Sequence, residues 1–237
     1  MGYLYQDNPY EKMRDRLPDD MREHIEDIFA RQYGSWNENL IYGELTEQEI
    51  RCMKQVAPME KAELFPHISD RDAYAGFFAA RGYAEYERKR VLNHIAGLHP
   101  VDFYNGGDDL SVLKGVNTHG RIDYNNTVPK VYFSSKINLN LTLRSIRSGV
   151  PLRAFDVMGI GGFLMSNYQA EFEELYEVGH DMVMFSSLEE MEDLLAFYLS
   201  HERERLNVCL NGYKKTAAEH TVNCRIRSML ETVYGRQ

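Results

Sequence analysis

The sequence predicts an α/β fold built on a doubly wound parallel sheet, with an added helical segment. Three observations support this prediction. The segment KINLNLTL, which begins at Lys136, alternates apolar and polar residues as a strand does. A helical pattern and a second buried strand follow it, and about five or six predicted strands alternate with helices along the chain. At 237 residues and 43% hydrophobic, the chain is also long enough to bury a full core.

The central stretch, from KINLNLTL to GGFLMSN, predicts a strand, a loop, a helix and a second strand. Pro151 suits the first turn of a helix, and LRAFDVMGI continues with apolar residues at helical spacing. Three glycines, Gly159, Gly161 and Gly162, end that helix, and GGFLMSN begins a second short buried strand. This order predicts a parallel βαβ unit, whose ligands bind beyond the carboxyl ends of the strands. Asn140–Gly149 and Ser166–Glu171 are predicted to lie at that end.

Cationic side chains gather near the start of the predicted helix. Arg144, Arg147 and Arg153 are close to it in sequence, where exposed backbone N–H groups and the helix dipole favour an anion. A phosphate is the simplest such anion. Asp156, one turn into the helix, suits paired sugar hydroxyls better than a phosphate. Two simpler interpretations stay open: each arginine is a solvated or ion-paired surface residue, and Asp156 pairs with Arg153.

Composition excludes several classes of function. The net charge of −9 argues against a nonspecific binder of nucleic acid or of an anionic membrane. The chain has no apolar run near the ~20 residues that span a bilayer and no signal-peptide pattern at its start. Cys52, Cys209 and Cys224 lack metal-site spacing, so we expect reduced thiols in a cytoplasmic protein. The adjacent Asp108 and Asp109 are predicted to form a turn rather than a metal site.

The amino-terminal part is predicted to be mainly helical. GYLYQDNPY is interpreted as a first strand and turn. Helices are expected after Asp19, after a capping box of Thr46 and Glu49, and after Ser69, the last with an interruption near Gly82. Its many aromatic residues favour core packing over base stacking. Trp36 lies in a loop, where it is either a lid or a plug.

Three stretches of the chain carry a resemblance to a known family. They are SKINLNLTL, SGVPLRAFDVMGIGGFLMSNYQAEFEELYE and LSHERERLNVCLNGYKKTAAEHTVNCRIRSML, supported by YLYQDNPYEKM, HGRIDYN and the HT-x-x-x-R pattern at His220–Arg225. The chain resembles the carboxyl-terminal half of the bacterial spore-maturation-protein glycosyltransferases, which have a GT-B fold. The resemblance covers most of the chain from Met1 to the end, and it is loose over roughly Arg14–Gly97.

The resemblance implies a Rossmann-like donor half that binds a nucleotide diphosphate sugar for transfer to an unknown acceptor. Residues 1–237 would form one nucleotide-sugar-binding domain with a helical insertion at about 14–97. The amino-terminal acceptor domain of the family would be missing, which favours a fragment over a natural short form. The only small-molecule partner implied is the nucleotide sugar, with no cofactor and no metal required.

The resemblance also implies particular site residues. Arg144 and Arg153 are candidate phosphate ligands, and Asp156 is the candidate ribose ligand. Backbone N–H groups at 168–170 and neighbouring side chains would hold the donor sugar or diphosphate, and the implied substrate-binding positions are Gly161, Gly162, Asn167, Tyr168, Gln169 and Glu171. Positions expected near the nucleotide base are His119, Gly120 and Tyr124. Glu171 could instead cap the next helix, and His119 could simply be an exposed loop residue.

The catalytic residue cannot be assigned in this way. Many retaining GT-B enzymes carry a pair of glutamates here, and with Asp156 as the second acid the first would fall at Ser148. The catalytic group and the stereochemical outcome are therefore both open. An alternative function is a non-catalytic nucleotide-sugar-binding or interaction domain. A nicotinamide-dependent oxidoreductase is a weaker alternative, because GIGGF follows a helix and precedes a strand, the reverse of the dinucleotide fingerprint.

Overall fold

The computed structural model describes residues 2–59 and 67–235 of the chain. These residues fall into two compact units. The first unit comprises residues 2–59 and 67–122 together with Leu143–Arg147, and the second comprises Asp123–Thr142 together with 148–235. Whether both belong to the single domain expected from the sequence stays a prediction. Within the described residues, no helix combines the length and the apolar character needed to cross a membrane.

The first unit is mainly helical, as its apolar periodicity predicts. Its helices are α1 (Pro9–Arg14), α2 (Asp19–Tyr33), α3 (Leu40–Glu44), α4 (Glu47–Val56), α5 (Asp70–Ala73) and α6 (Ala80–Ala96). Asn8, Asn39 and Ser69 cap α1, α3 and α5, and Thr46 with Glu49 forms the expected capping box of α4. The core of this unit includes Tyr10, Phe29, Phe78 and Tyr83. Of the aromatic residues predicted to pack in the helical run after Ser69, Tyr74, Phe78 and Tyr83 lie in this core. Tyr86 packs against the core from a partly buried position, whereas Phe77 is 40% exposed.

One long helical run joins α5 to α6 through a π-helical segment, Tyr74–Ala79. The interruption expected near Gly82 is wrong, since α6 continues through that residue. Gly82 serves packing instead. A Cβ atom at that position would come within 2.4 Å of the Tyr10 ring, so only glycine lets α1 approach α6 this closely.

A two-stranded parallel sheet completes the first unit. Strand β1 (Asp102–Tyr104) pairs with β2 (Asn117–His119). Asp108 accepts from the Leu4 N–H and from the Asn105 amide, and Asp109 caps a short 3₁₀ turn at Leu110–Val112. The prediction that Asp108 and Asp109 form a turn is therefore confirmed.

The predicted first strand at the amino terminus is wrong. Residues 2–8 form no strand, although the Gly2 N–H donates to the Tyr104 carbonyl at 3.2 Å. Tyr5 has a φ of 65°, a left-handed conformation that interrupts strand geometry. Asn8 then caps α1 and Pro9 occupies its first turn, so the local signals that favour a helix dominate the segment.

The second unit contains a three-stranded parallel sheet in the order β3-β4-β5. The strands are β3 (Asn138–Asn140), β4 (Leu164–Asn167) and β5 (Val183–Phe185). In the register of β3 and β4, Asn140 lies opposite Ser166. The parallel βαβ unit predicted from the sequence is confirmed, although β3 is shorter than its alternating pattern suggests. The coarse prediction of an α/β fold with parallel strands is likewise confirmed.

Helices connect and cover these strands. They are α7 (Val128–Ser134), α8 (Leu152–Gly159), α9 (Glu171–Leu175), α10 (Leu188–Ser200), α11 (Glu202–Glu219) and α12 (Val222–Tyr234). Helix α8 links β3 to β4, packs against both strands and is covered by α11. Pro151 is the N-cap of α8, and Ser187 caps α10 through the Glu190 N–H. The helix predicted after Pro151 is present as α8.

Candidate functional site

The carboxyl ends of β3 and β4 meet at one edge of the sheet and carry a buried polar network. The Asn140 amide donates to the Thr142 hydroxyl at 3.0 Å and to the Ser166 hydroxyl at 2.9 Å. The Asn167 side-chain oxygen accepts from the Thr142 N–H at 2.7 Å. All four residues are buried. Because buried polar groups must be paired, this network fixes the two strand ends with respect to each other.

Two amide side chains at this edge, Asn167 in the network and Gln169 next to it in the loop, have unused hydrogen-bonding groups. Asn167 is 2% exposed and Gln169 is 8% exposed. Across residues 2–59 and 67–235, nothing accepts from the Asn167 amide nitrogen, and nothing hydrogen-bonds the Gln169 side chain. Their unused polar atoms are not among the described side-chain atoms that are buried without a partner, so solvent reaches them. The edge of the sheet therefore offers two amides with donors free for a ligand. The network holds the Asn167 amide in place, whereas the Gln169 side chain makes no hydrogen bond within the described residues.

The backbone of the loop after β4 is only partly free. The Tyr168 N–H donates to the Phe185 carbonyl at 2.8 Å, so this predicted donor is already used within the sheet. Among the described residues, no backbone carbonyl accepts a hydrogen bond from the N–H group of Gln169 or of Ala170. Ala170 is the N-cap of α9, and Glu171 lies in the first turn without a capping hydrogen bond. The alternative that Glu171 caps this helix by a hydrogen bond is therefore not found.

Helix α8 begins after the β3 end and carries Arg153 and Asp156 in its first two turns. Asp156 accepts a short hydrogen bond from the Tyr124 hydroxyl. This bond raises the pKa of Tyr124 to about 12. Burial raises the pKa of Tyr132, an effect that the nearby positive charge of Arg153 opposes. The two candidate ligands of α8 thus lie in one electrostatic environment together with Tyr124, for which base binding stays a prediction.

The Arg153 guanidinium is half-buried, and none of the described residues forms a hydrogen bond or an ion pair with it. The open interpretation that Asp156 pairs with Arg153 is therefore not found in this part of the chain. A half-buried guanidinium with five donors and no carboxylate partner has its full charge available. This arrangement at the start of a helix suits an anionic ligand.

Gly161 and Gly162, which were predicted to contact substrate, have evident structural roles. Gly161 has a φ of 81° and follows the last turn of α8. A Cβ atom on Gly162 would lie 2.9 Å from the Tyr132 carbonyl oxygen and 3.0 Å from that of Val157. The turn between α8 and β4 therefore needs glycine for packing, whatever it contacts in addition.

In the first unit, Arg144 and Arg147 both have protein partners. Arg144 is 8% exposed, donates to the Trp36 carbonyl at 2.9 Å and lies 3.6 Å from the Glu87 carboxylate. Arg147 pairs with Asp72 at 2.7 Å and stacks over the Tyr42 ring. Trp36 is fully buried, so it is a plug rather than a lid. The role of Arg144 as a phosphate ligand stays a prediction.

His119 and Gly120 also belong to the first unit. His119 ends strand β2, where its Nε2 atom lies 2.7 Å from the Asp102 carboxylate and its ring stacks on Tyr104 at 4.3 Å. The alternative that His119 is an exposed loop residue holds only for its exposure, since its side chain is 40% exposed but the residue ends a strand. Gly120 has open space around it. Base binding by these two residues stays a prediction.

The sequence places Asn140, Thr142 and Ser166 in the segments at the carboxyl ends of the strands, but their buried hydrogen-bond network was not predicted. The alternating pattern put Asn138, Asn140 and Thr142 on one side of the predicted strand and gave them no role. Polar side chains on a strand whose sheet is covered by helices are the sequence signal that could have revealed this network. Of the described residues, no group of three or more His, Cys, Asp or Glu side chains could hold a metal ion.

Comparison with known proteins identifies the family but no individual relative. No curated protein and no solved structure shows significant similarity to the chain. Residues 81–231, more than half of the chain, match the family described as glycosyl transferase-like, and this match supports a general function in glycosyl transfer. The chain therefore belongs to the glycosyl transferase-like family.

Proposed function

We propose that the second unit binds a nucleoside diphosphate sugar and presents it as the donor for transfer of the sugar. The observation that carries this proposal is the Arg153 guanidinium at the start of α8, one turn before Asp156. No described residue forms a hydrogen bond or an ion pair with it. Family membership supports the reaction class, and the free polar groups of the second unit support the proposal of a donor site. The finer assignment, the carboxyl-terminal half of a GT-B enzyme like the spore-maturation-protein group, is part of the proposal.

The diphosphate is assigned to Arg153 and to the backbone around it. A guanidinium offers a planar set of charged donors that matches phosphate oxygens, and it stays charged at any physiological pH. The amino-terminal end of α8 and the N–H groups of Gln169 and Ala170 add further donors. Arg144 is not needed for this assignment, because its guanidinium is buried beside Glu87.

The ribose and the sugar are assigned to oxygen and amide groups. Asp156 has one carboxylate oxygen that no described residue contacts, and a carboxylate accepts hydrogen bonds from paired hydroxyls. The free amide donors of Asn167 and Gln169 suit the hydroxyl groups of an uncharged sugar. Tyr124 is 54% exposed, so its ring face is accessible to the nucleotide base.

These groups suit the chemistry of glycosyl transfer. Negative charge develops on the diphosphate as its bond to the sugar breaks, and fixed positive groups near that charge lower the barrier. Arg153 and the helix start supply positive charge without requiring a metal ion. The acceptor and the group that activates it are not assigned.

Thermal unfolding in the presence of UDP, GDP and ADP tests the proposal. We expect at least one of these nucleotides to raise the Tm of the chain, because a ligand that binds only the folded state stabilises it. Arg153→Ala should abolish most of this shift. Arg203→Ala, which removes an exposed arginine from α11 of the same unit, is the matched control and should keep the shift. If none of the three nucleotides changes the Tm, the donor-binding assignment is wrong.

A further inference from the structure

The contact between Tyr124 and Asp156 joins two segments that are distant in sequence. Tyr124 precedes α7 in a turn whose shape is fixed by hydrogen bonds to Asp123 from the N–H groups of Asn126, Thr127 and Val128. Asp156 lies on α8, which packs against α7. The hydroxyl of Tyr124 therefore approaches the carboxylate from a fixed direction.

The hydrogen bond leaves most of the carboxylate available. An ionised carboxylate has about four lone-pair sites, and the Tyr124 hydroxyl occupies one of them on Oδ2. No residue of the described chain hydrogen-bonds Oδ1 of Asp156. The bond to Tyr124 also prevents free rotation of the carboxylate about its last side-chain torsion, which is otherwise broad. Asp156 thus presents open acceptor sites in fixed directions.

We propose that Tyr124 is a positioning residue that holds the Asp156 carboxylate ready for two adjacent ribose hydroxyls, and so makes the site selective for ribonucleotides over 2′-deoxyribonucleotides. This inference rests on the proposed donor-binding function. A fixed acceptor pair loses a hydrogen bond when one hydroxyl of the ligand is missing, and the acceptor then stays unsatisfied. A carboxylate that rotates freely adapts to the single remaining hydroxyl and discriminates less.

An opposite role for Tyr124 is physically reasonable and makes an opposite prediction. Its hydroxyl could occupy the place of a ribose hydroxyl and compete with the ligand. Removing the hydroxyl would then tighten nucleotide binding. The open Oδ1 atom and the remaining lone pair of Oδ2 favour positioning over competition, because they leave room for two hydroxyl donors.

Calorimetric titration of the 237-residue chain tests the inference, using UDP, GDP and ADP with their 2′-deoxy counterparts. We expect the wild-type chain to bind the ribonucleotide about tenfold tighter, since a hydrogen bond to a charged group contributes on that order. Tyr124→Phe should reduce this ratio at least about threefold without changing the Tm. Tyr213→Phe, which removes the hydroxyl of an exposed tyrosine on α11, should change neither quantity.

Asp156→Asn provides a second variant that does not depend on Tyr124. It should also reduce the ratio, and adding Tyr124→Phe to it should have no further effect, because the two residues act through one interaction. A ratio unchanged in Tyr124→Phe, or tighter binding by that variant, would overturn the positioning role while leaving donor binding intact. If the wild-type chain binds none of the six nucleotides, the proposed function fails and this inference with it.

Discussion

The Arg225 guanidinium donates to Nδ1 of His220 at 2.9 Å, and this contact anchors the last helix of the chain. The other ring nitrogen, Nε2, lies 3.2 Å from the Leu175 carbonyl oxygen and donates to it. The His220 ring also packs against Tyr176 and Phe155, and Arg225 lies over the Phe155 ring. The HT-x-x-x-R pattern of the sequence thus ties the start of α12 to α8, the helix that carries Arg153 and Asp156.

This contact predicts that acid destabilises the second unit through His220. Burial lowers the pKa of His220, with the positive charges of Arg225 and Lys215 acting in the same direction. The unfolded chain therefore binds a proton at His220 more readily than the folded chain does. Stability from this group is present above the ordinary histidine pKa of about 6.5 and is lost as the pH falls through and below it.

The measurement is the Tm of wild type and of His220→Gln between about pH 7 and pH 5. We expect the wild-type Tm to fall more steeply than that of the variant. His201→Gln, which removes an exposed histidine from the same unit, should keep the steeper wild-type profile. Parallel profiles for wild type and His220→Gln would show that His220 is not the group responsible.

A second prediction concerns the turn between α8 and β4. Gly162→Ala would place a Cβ atom 2.9 Å from the Tyr132 carbonyl oxygen and 3.0 Å from that of Val157. Both atoms belong to the backbone and cannot move without displacing their own segments. We expect a loss of about 1–3 kcal/mol in the free energy of unfolding, the usual cost of overpacking.

Chemical denaturation of Gly162→Ala measures this cost. Gly43→Ala is the control, because Gly43 lies in α3 with no atom within 4 Å of its added Cβ. This control should leave stability unchanged or raise it by up to about 1 kcal/mol, since alanine is the better helix former. Equal effects of both substitutions would contradict the packing role of Gly162.

Local chemistry explains which parts of the fold could be predicted from sequence. The capping box of Thr46 and Glu49, and Pro151 at the start of α8, depend on residues a few positions apart, and both are present. The βαβ unit followed from alternating and helical periodicity. The π-helical segment Tyr74–Ala79 could not be predicted in this way, because its sequence has ordinary helical character.

The candidate site could be predicted only in part. The strand order correctly placed Asn167 and the start of α8 at the carboxyl end of the sheet. The environment of each arginine could not be inferred, because it depends on partners far away in the sequence. Arg144 meets the carbonyl of Trp36 across 108 positions. Arg153, nine positions further along, has no such partner among the described residues.

The final prediction concerns the buried ion pair of the first unit. Arg144 and Glu87 are both buried, and their charged groups are 3.6 Å apart. Burial raises the pKa of Glu87, while the Arg144 charge and the Tyr83 hydroxyl oppose this effect. The Nε and Nη2 atoms of Arg144 are buried without hydrogen bonds within the described residues. Compensation of the Arg144 charge therefore depends strongly on Glu87.

Glu87→Gln should reduce the free energy of unfolding by about 3 kcal/mol, because it leaves a buried positive charge without its counterion. Glu44→Gln breaks the exposed pair with Arg31 and should cost far less, because solvent screens an exposed ion pair. Adding Arg144→Met to Glu87→Gln should recover much of the loss, since the uncompensated charge is then absent. Urea denaturation measures all four proteins. A double variant less stable than Glu87→Gln alone would show that Arg144 stabilises the unit through its packing and its bond to Trp36 rather than through its charge pair.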